Sequence, residues 1–370
     1  MKNSSILFLL GRFGIGGVER VTVVLANELV KRGHTVCIAA FAYEDKSLLK
    51  TADSRIEIVE LSQDWLGPKS CAALSEIIKR RKVDIVINQW CVPFKVTRFL
   101  RKAMKGSAAK LFAVHHNLPT TNKRIQDAKN PLVRFVWKVI TAINLRLVYE
   151  FSDRYVLLSA SFVPLFKRFV GLIRGKKVTV ITNPLTLDIV KRKKENLIVY
   201  VGRLEETQKR VSRVIDIWRN IVKDLPDWKL EIVGDGPDRA MYEDMARDLP
   251  RISFEGFQNP AEYYARAKLL LLTSDFEGFA LVLVEAMCSR CVPIVLGSYP
   301  AAYDIVRGGG VVEPMSFDLA KFVSTVKKLA TDEQLLAQSA DVAETARNDY
   351  SVESITSLWE KLFSEVRCEC

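Results

Sequence analysis

The sequence has few cysteines and no long apolar run. Among its 370 residues the cysteines are an odd and scattered set, at positions 37, 71, 91, 288, 291, 368 and 370. Such a set argues against a disulfide framework and indicates a reducing compartment. Because no stretch approaches ~20 uncharged apolar residues, we expect no membrane-spanning segment.

Signals for secretion and for metal binding are also weak. The apolar run Ile6–Leu10 is too short for the core of a signal peptide and ends in Gly11-Arg12, so we expect a cytosolic protein. Cys288 and Cys291 have the spacing of a redox or metal pair. No second pair and no histidine lies near them in the sequence, which argues against both roles.

The composition and the order of elements predict two α/β domains. The chain is 49% hydrophobic and 26% charged, without repeats, as in globular proteins. Short apolar strands such as Ile6–Leu10 and Val36–Ala40 alternate with helical patterns, which indicates parallel βαβ units covered on both faces. A polar run at Lys191–Lys194 precedes a second series of such units. We therefore predict domains at 1–184 and 185–350, with a C-terminal helix in 351–370 that packs back on the first.

The positive charge is concentrated in the first half. Residues 1–185 hold 31 Lys and Arg against 13 Asp and Glu, a net charge of +18, whereas residues 186–370 hold 24 against 30, a net charge of −6. The asymmetry indicates an anionic partner: a membrane surface, a nucleic acid or a phosphorylated substrate. We find no aromatic-rich nucleic-acid motif and expect no nucleic-acid binding.

Two basic segments, 94–105 and 123–146, mix cations with large apolar residues at helical spacing. A helix of this kind can lie in the interface of an anionic membrane. The alternative is a helix that buries Phe135, Trp137 and Ile140 in the domain and leaves its lysines in water.

The most informative segment contains two glutamates, Glu277 and Glu285. A buried strand precedes them, and we expect Gly278 at the start of the following helix. On that helix the glutamates would lie about 80° and two turns apart, one at the mouth of a crevice and one along its wall. Open α/β sheets bind ligands at this strand-to-helix edge. A solvated surface helix is the alternative.

Four other places carry residues suited to an anionic ligand. Arg203 and Lys209 flank a strand-end loop and suit a diphosphate, although a lone arginine is most often ordinary surface charge. A glycine turn at Gly234 is weak evidence alone. The glycines at Gly14–Gly17 let backbone N–H groups approach an anion, but their spacing does not fit the dinucleotide fingerprint. His115 and His116 end a strand, where side chains face a ligand crevice more often than elsewhere, and a structural role is the alternative.

Taken together, these segments resemble the retaining nucleotide-sugar glycosyltransferases of the GT-B fold, specifically glycosyltransferase family 4 of bacterial polysaccharide and lipopolysaccharide assembly. The glutamate pair resembles the family's E-x7-E motif. The resemblance implies two doubly wound Rossmann-like domains that face a central cleft, with the C-terminal helix returning to the first. It covers nearly the whole chain, through Gly16-Gly17, His116-Asn117, Ser152-Asp153 with Ser159, Asn183-Pro184, Gly202-Arg203, Lys209, Gly234–Pro237, Phe254–Gly256, Glu277 and Glu285.

The resemblance also implies a role for each site residue. Arg203 and Lys209 would neutralise the diphosphate of the donor and Glu285 would bind its ribose, while Glu277 would orient the donor sugar. The remaining implied contacts are the backbone of Gly278, Phe279 and Ala280 to the diphosphate, His116 (or His115) to the sugar, Phe257 to the nucleobase, Gly234 in the donor-binding turn, and Gly16 and Gly17 along the cleft.

The implied enzyme is a retaining hexosyltransferase that needs no cofactor and no metal. It would move a hexose or N-acetylhexosamine from a nucleotide sugar, UDP-linked by family expectation, to a lipid-linked glycan or lipopolysaccharide acceptor. The sequence has no Asp-x-Asp pair in a metal-binding context, and positioned cations with a helix N-terminus can stabilise the leaving diphosphate. We expect it on the inner face of the cytoplasmic membrane.

The sequence departs from the family pattern at two positions, and two other functions are alternatives to the transferase. Arg290 stands where relatives often carry glycine, and Ala280 stands where they often carry glycine or proline. Both differences are expected to alter donor fit or packing. One rival is a nucleotide-sugar 2-epimerase of the same fold. The other is a catalytically silent partner that binds a nucleotide or a membrane, which the presence of Arg203, Lys209, Glu277 and Glu285 argues against.

Overall fold

The computed structural model describes residues 3–61, 64–120 and 123–368, with only the backbone of Lys123 and Cys368. The chain divides into two compact units. One unit runs up to Pro184 and takes in the C-terminal segment that begins at Ser351, and the other is Leu185–Tyr350.

The first unit is built on a parallel sheet. Its strands within the described residues are β1 Ser5–Phe13, β2 Thr35–Tyr43, β3 Glu57–Glu60, β4 Ile85–Asn88, β5 Lys110–His115, β6 Arg154–Leu157 and β7 Val178–Val180. They lie in the order β3-β2-β1-β4-β5-β6-β7. Leu7 on β1 is opposite Cys37 on β2 and Val86 on β4. The order reverses between β1 and β4, and open sheets of this kind bind ligands at the carboxyl ends beside such a reversal.

Helices follow most of these strands. They are α1 Gly17–Lys31, α2 Pro68–Arg80, α3 Phe94–Ala103, α4 Lys123–Asp127, α5 Pro131–Glu150 and α6 Phe162–Phe169, with a short 3-10 helix at Ser47–Thr51. In α1 the residues Val21, Leu25 and Leu29 recur at helical spacing and are buried. Gly33, at φ +93°, follows the helix in the left-handed conformation that glycine adopts without strain.

Helix α5 is unusual because its first half is exposed on nearly every side. Asn130 caps it by accepting hydrogen bonds from two backbone N–H groups, and Pro131 occupies its first turn. Its buried residues, Thr141, Leu145, Val148 and Tyr149, all lie in the second half. The interpretation that buries Phe135 and Ile140 in the domain was wrong, because these side chains are 61% and 39% exposed.

The second unit repeats the architecture. Its strands are β8 Glu195–Val201, β9 Lys229–Val233, β10 Ile252–Gly256, β11 Ala267–Leu272, β12 Val292–Leu296 and β13 Val311–Glu313. They form a parallel sheet in the order β10-β9-β8-β11-β12-β13, which reverses between β8 and β11. Leu270 on β11 lies opposite Val199 on β8 and Pro293 on β12. The predicted pair of doubly wound α/β domains is confirmed.

The helices of this unit are α7 Val211–Ile221, α8 Arg239–Met245, α9 Ala261–Arg266, α10 Leu281–Cys288, α11 Ala301–Val306, α12 Leu319–Thr331, α13 Glu333–Glu344 and α14 Ala346–Tyr350. The expectation that the helix after β11 begins at Gly278 was wrong, because α10 begins at Leu281. Ala280 is its N-cap, with φ −74° and ψ 88°. The two glutamates therefore do not share one helix.

The last helix, α15 Val352–Cys368, belongs to the first unit and packs against α1. Arg32, at the end of α1, donates to the Glu360 carboxylate at 2.7 Å and to the Glu353 carbonyl at 2.8 Å. His34 is buried and its Nε2 lies 3.1 Å from the other oxygen of Glu360. This helix, the C-terminal strap, is therefore held by polar contacts as well as by apolar ones.

In the part of the chain that the structure describes, none of the helices combines the length and the hydrophobicity needed to cross a bilayer.

Candidate active site

In the second unit, two strand-end loops touch backbone to backbone. Gly202 follows β8 and Gly234 follows β9, both at positive φ. A Cβ added to Gly234 would lie 1.9 Å from the Gly202 carbonyl oxygen, and one added to Gly236 would lie 2.3 Å from that of Leu204. Side chains are therefore excluded where the loops meet, and the glycine turn has a packing reason that the sequence alone did not give.

The loop after β8 meets the loop after β11 through an ion pair. Lys209 Nζ donates to Glu277 Oε1 at 2.6 Å, and the two side chains are only 19% and 9% exposed. Gln208 Nε2 donates to the Phe276 carbonyl at 3.1 Å. Two residues that are 68 positions apart in sequence are thus held together at the carboxyl edge of the sheet.

A second ionic contact fixes the same loop. Asp275 accepts hydrogen bonds from Arg210 and Arg213, each at 2.6 Å. Arg213 also donates to the Thr273 carbonyl at 2.9 Å. Because the side chains of Asp275 and Glu277 are bound to residues of the β8 loop and α7, residues 275–280 are held as a loop, and α10 begins only at Leu281. No pattern in the sequence predicted that Asp275, Arg210 and Arg213 would contact one another.

Buried hydroxyl groups surround this loop. Burial raises the pKa of Tyr200 and of Tyr299 well above the usual value, and the nearby Glu277 carboxylate adds to both shifts. Tyr200 donates to the Arg203 carbonyl at 3.0 Å. Among the described residues, the Tyr299 and Ser274 hydroxyls are buried without a hydrogen-bond partner.

Arg203 differs from Lys209 in its exposure. Its side chain is 66% exposed and its ion pair with Glu205 spans 3.4 Å. An exposed pair of this kind contributes little to stability. The guanidinium is therefore available to an anionic ligand at little energetic cost.

Glu285 lies on α10 and is 1% exposed. Its carboxylate accepts hydrogen bonds from the Thr186 hydroxyl at 3.0 Å and the Tyr264 hydroxyl at 3.3 Å. The group thus already binds two hydroxyls, although the sequence did not single out Thr186 or Tyr264.

The remaining residues of this unit lie around the start of α10 and the end of β10. Gly278, Phe279 and Ala280 form the turn before α10, and the Phe279 ring packs against Tyr350 with centroids 5.9 Å apart. The first N–H groups of a helix have no partner within it and attract anions. Phe257 is 69% exposed after Gly256, whose φ is +71°.

In the first unit, two histidines end β5. His115 is buried, and its Nδ1 lies 2.6 Å from the Tyr155 hydroxyl on β6. His116 is half-buried, and its Nε2 lies 2.6 Å from the side-chain oxygen of Gln89. Burial lowers the pKa of His115 to about 4 and, with a contribution from His115, that of His116 to about 3. His115 is thus engaged in the interior, whereas His116 lies closer to the surface.

The glycines of the first loop lie at the start of α1. Gly16 is the N-cap and Gly17 the first helical residue. A Cβ at Gly16 would lie 2.5 Å from a carboxylate oxygen of Glu19. The strand predicted at Ile6–Leu10 extends further, and β1 ends at Phe13.

The Cys288 and Cys291 thiols are buried, and burial raises the pKa of each to about 12. Both are therefore protonated thiols at neutral pH. In the described part of the chain, no group of three or more His, Cys, Asp or Glu side chains gathers as a metal site would need.

Comparisons with known proteins cover both units. Residues 187–349 match the family described as glycosyl transferases group 1, and residues 15–189 match glycosyltransferase family 4. The chain is 27% identical over 98% of its length, and over 99% of the relative, to the Campylobacter jejuni enzyme named GalNAc-alpha-(1->4)-GalNAc-alpha-(1->3)-diNAcBac-PP-undecaprenol alpha-1,4-N-acetyl-D-galactosaminyltransferase. It is 24% identical over 95% of its length, and 94% of the relative, to N-acetyl-alpha-D-glucosaminyl L-malate synthase of Bacillus anthracis.

A solved structure has the same fold. The crystal structure of Anabaena Alr3699/HepE in complex with UDP-glucose superimposes with a TM-score of 0.76, at 19% identity, over 98% of this chain and all (100%) of that one. The two family matches together extend from residue 15 to residue 349. The predicted glycosyltransferase family and GT-B fold are confirmed: the chain belongs to the glycosyltransferases of the GT-B fold.

Proposed function

We propose that the protein transfers a hexose or N-acetylhexosamine from a nucleoside diphosphate sugar, with UDP as the carrier, to a lipid-linked glycan or lipopolysaccharide acceptor, with retention of configuration. The observation that carries the proposal is the ion pair of Lys209 and Glu277 at the carboxyl edge of the second sheet. A cation held by a single carboxylate beside a helix start is suited to exchange that partner for a diphosphate.

The geometry of the second unit supports a donor-binding role for each of these groups. Lys209 and the exposed Arg203 would bind the diphosphate, and the N–H groups at the start of α10 would meet its oxygens. These groups stabilise the negative charge that grows on the diphosphate as it leaves, and so supply the main electrostatic term of catalysis. Glu277, released from Lys209, would orient the sugar.

Glu285 would bind the ribose. It now accepts hydrogen bonds from two hydroxyls, those of Thr186 and Tyr264. The adjacent hydroxyls of a ribose offer the same pair of donors. Phe257, exposed at the end of β10, would contact the nucleobase.

Retention and metal independence rest on the same set of groups. The family resemblance implies displacement on the face from which the diphosphate departs, and we propose this course for the protein. The cations of the site would take the place of a metal ion. An acceptor on a lipid carrier is supported by the name of the Campylobacter jejuni relative, which includes diNAcBac-PP-undecaprenol.

Thermal-shift and calorimetric titrations with UDP, GDP, ADP and CMP test the proposal. We expect one nucleoside diphosphate, UDP, to stabilise the protein selectively, and Lys209→Ala and Glu285→Ala to weaken its binding strongly. Lys223→Ala, an exposed lysine of the same unit, is the matched control. Absence of binding by all four nucleotides would contradict the donor-site assignment, and a 2-epimerised sugar formed without acceptor would indicate the epimerase instead.

We also propose that residues 132–143 of α5 dock on an anionic membrane. Their exposed apolar side chains form a contiguous set, Leu132, Val133, Phe135, Val136, Val139, Ile140 and Ile143. Arg134 and Lys138 lie among them and are exposed. Apolar residues that enter a headgroup layer, interleaved with cations that meet its phosphates, are the pattern of interfacial helices.

Vesicle sedimentation tests the docking surface. We expect binding to vesicles with anionic lipid, weakened by salt and by the double charge reversal Arg134→Glu with Lys138→Glu. Lys50→Glu with Lys79→Glu makes the same charge change at exposed sites elsewhere in this unit. Equal loss in both double variants, or binding to neutral vesicles alone, would contradict the electrostatic part. A dimer that forms through α5 and does not bind vesicles would contradict the membrane-docking proposal altogether.

A further inference from the structure

In the second unit, the loop that carries Glu277 is joined to the loop that follows β12. β11 pairs with β12 in parallel, so the loops after these two strands leave the same edge of the sheet. Ser298, after β12, donates from its hydroxyl to the Ser274 carbonyl at 2.6 Å. Ser274 lies three residues before Glu277, and Tyr299 follows Ser298 directly. This hydrogen bond therefore places Tyr299 beside the loop of Glu277.

Tyr299 has a hydrogen to donate and no group that takes it. The residue is 1% exposed, and among the described residues its hydroxyl has no hydrogen-bond partner. Burial raises its pKa well above the usual value, and the Glu277 carboxylate adds to this shift, so the phenol keeps its hydrogen at neutral pH. Burial and Glu277 also raise the pKa of Tyr200, but that hydroxyl already donates to the Arg203 carbonyl at 3.0 Å. Of these two tyrosines, Tyr299 has the uncommitted donor.

Glu277 depends on one strong contact. Its carboxylate accepts from Lys209 Nζ at 2.6 Å, and its other oxygen has a weaker contact with Gln208 Nε2 at 3.5 Å. The Glu277 side chain is only 9% exposed, so water cannot replace a lost partner fully. A buried carboxylate that loses its cation is strongly destabilised unless another donor pairs with it. If a diphosphate is to take Lys209, a second donor must therefore lie within reach of Glu277.

We propose that Tyr299 is a positioning residue whose hydroxyl donates to Glu277 when Lys209 turns to the diphosphate of the donor. The inference rests on the proposed function and adds a residue of the loop after β12 to the donor site. A hydrogen bond from a phenol to an ionised carboxylate is among the stronger kinds. Because a carboxylate has two accepting oxygens, one can bind Tyr299 while the other accepts from a sugar hydroxyl.

Lys209→Ala tests the pairing without any ligand, because Glu277 should then turn to Tyr299. The ring Cζ carbon of a tyrosine reports on the hydrogen bond of its hydroxyl, and the chain has 10 tyrosines, few enough to resolve after carbon-13 labelling at Cζ. Tyr299→Phe identifies the signal. We expect the Tyr299 signal to shift in Lys209→Ala, and to shift less when Glu277→Gln is added. An unshifted signal in Lys209→Ala would overturn the proposal.

Thermal unfolding gives a second measurement without ligand. In the unchanged protein Tyr299→Phe removes only an unpaired hydroxyl, so we expect an equal or higher Tm. In Lys209→Ala the same substitution removes the new partner of Glu277, and we expect a lower Tm. Tyr303→Phe, on α11 and 52% exposed, is the control and should have the same effect in both backgrounds. Equal effects of Tyr299→Phe in the two backgrounds would overturn the proposal, because the hydroxyl would then act through packing alone.

Calorimetry with UDP connects the pairing to the donor site. We expect Tyr299→Phe to raise the Kd for UDP by about tenfold, as for the loss of one hydrogen bond to a charged group. In Glu277→Gln the carboxylate charge is absent, and the same substitution should raise the Kd by less than about threefold. Equal losses in both backgrounds would overturn the proposal. If UDP binds none of these proteins, the proposed function fails, while a shifted Tyr299 signal in Lys209→Ala would still establish the pairing.

Discussion

The two sheets reverse their strand order in the same way, but the residues after their central strands differ in chemistry. In the second unit these residues are charged: Lys209 pairs with Glu277, and Asp275 pairs with Arg210 and Arg213. In the first unit the residues at the ends of β4 and β5 are the neutral Gln89, His115 and His116. The carboxyl edges of the two sheets thus present two kinds of ligand surface.

The difference indicates which chemical groups each edge is suited to bind. Charged, partly buried groups lose little by exchanging a carboxylate for a phosphate, because the cost of removing them from water has already been met on folding. Neutral hydrogen-bonding side chains suit hydroxyl groups. The following variants test the contrast, in order of decreasing effect.

Lys209→Ala has the largest expected effect on ligand binding. It removes the cation that Glu277 holds at 2.6 Å and leaves that buried carboxylate, among the described residues, with only the 3.5 Å side-chain contact from Gln208. We expect the Kd for UDP to rise by about 100-fold, as for other truncated charge pairs of this kind. Isothermal titration calorimetry measures it. A loss of tenfold or less would show that the charged edge does not bind the diphosphate, and Lys209→Arg should retain most of the affinity.

Gly234→Ala tests the close approach of the two loops that support the charged edge. The added carbon would meet the Gly202 carbonyl oxygen at 1.9 Å, so the loops must separate. We expect a loss of about 3 kcal/mol in the free energy of unfolding of the second unit. Gly308→Ala is the control, because it is also at positive φ, +86°, but has open space around the added carbon among the described residues. Equal losses in the two variants would exclude the clash as the cause.

Glu360→Gln affects the first unit through its C-terminal strap. Burial acts to raise the pKa of the Glu360 carboxyl, but hydrogen bonds from His34 and Arg32 outweigh it and lower the pKa overall. The carboxylate therefore stabilises the unit at neutral pH, and this contribution is lost as the pH falls through the lowered pKa. We expect a loss of about 2 kcal/mol at pH 7.

Hydrogen exchange resolves this effect by unit. Protection in α1 and α15 should fall in Glu360→Gln at pH 7, with β8 and β9 unchanged, and the difference should narrow at acidic pH. A uniform change in both units, or a difference that grows at low pH, would contradict the assignment of the strap.

Arg203 and Glu205 give the smallest effects. Their pair is exposed, so Glu205→Gln should change the free energy of unfolding by less than about 0.5 kcal/mol. Arg203→Ala should also leave stability unchanged but raise the Kd for UDP by about tenfold. Chemical denaturation and calorimetry measure the two quantities. A substantial stability loss in either variant would indicate a structural rather than a ligand-binding arginine.

Much of the fold could be predicted from the sequence because its signals are local. The apolar run Val36–Ala40, for example, predicts a strand from neighbouring residues alone and lies within β2. Helix α10 shows the opposite case. Its start depends on contacts of Glu277 and Asp275 with residues more than 60 positions away, which no local pattern contains.

The candidate site was predictable to the same degree. Lys209 and Glu277 were singled out from the residues that follow predicted strands, and their roles came from the family resemblance, but their direct bond could not be inferred from their positions in the sequence. Gln89 was missed, although it follows β4 just as His116 follows β5. An uncharged amide does not indicate a function in the sequence unless its partner is known. The contacts of Arg32 with Glu360 span 328 positions and need the folded chain.

The ion pair of Lys209 and Glu277 is the central feature of the proposed donor site, and Glu277→Gln tests its role most directly. If the diphosphate displaces Glu277 from Lys209, then removing the negative charge should tighten UDP binding, opposite in sign to Lys209→Ala. UDP lacks the transferred sugar, so the variant loses no contact with that sugar. We expect calorimetry to give a lower Kd for UDP in Glu277→Gln than in the unchanged protein. A Kd that rises in both variants would contradict the exchange of partners on which the proposed donor site depends.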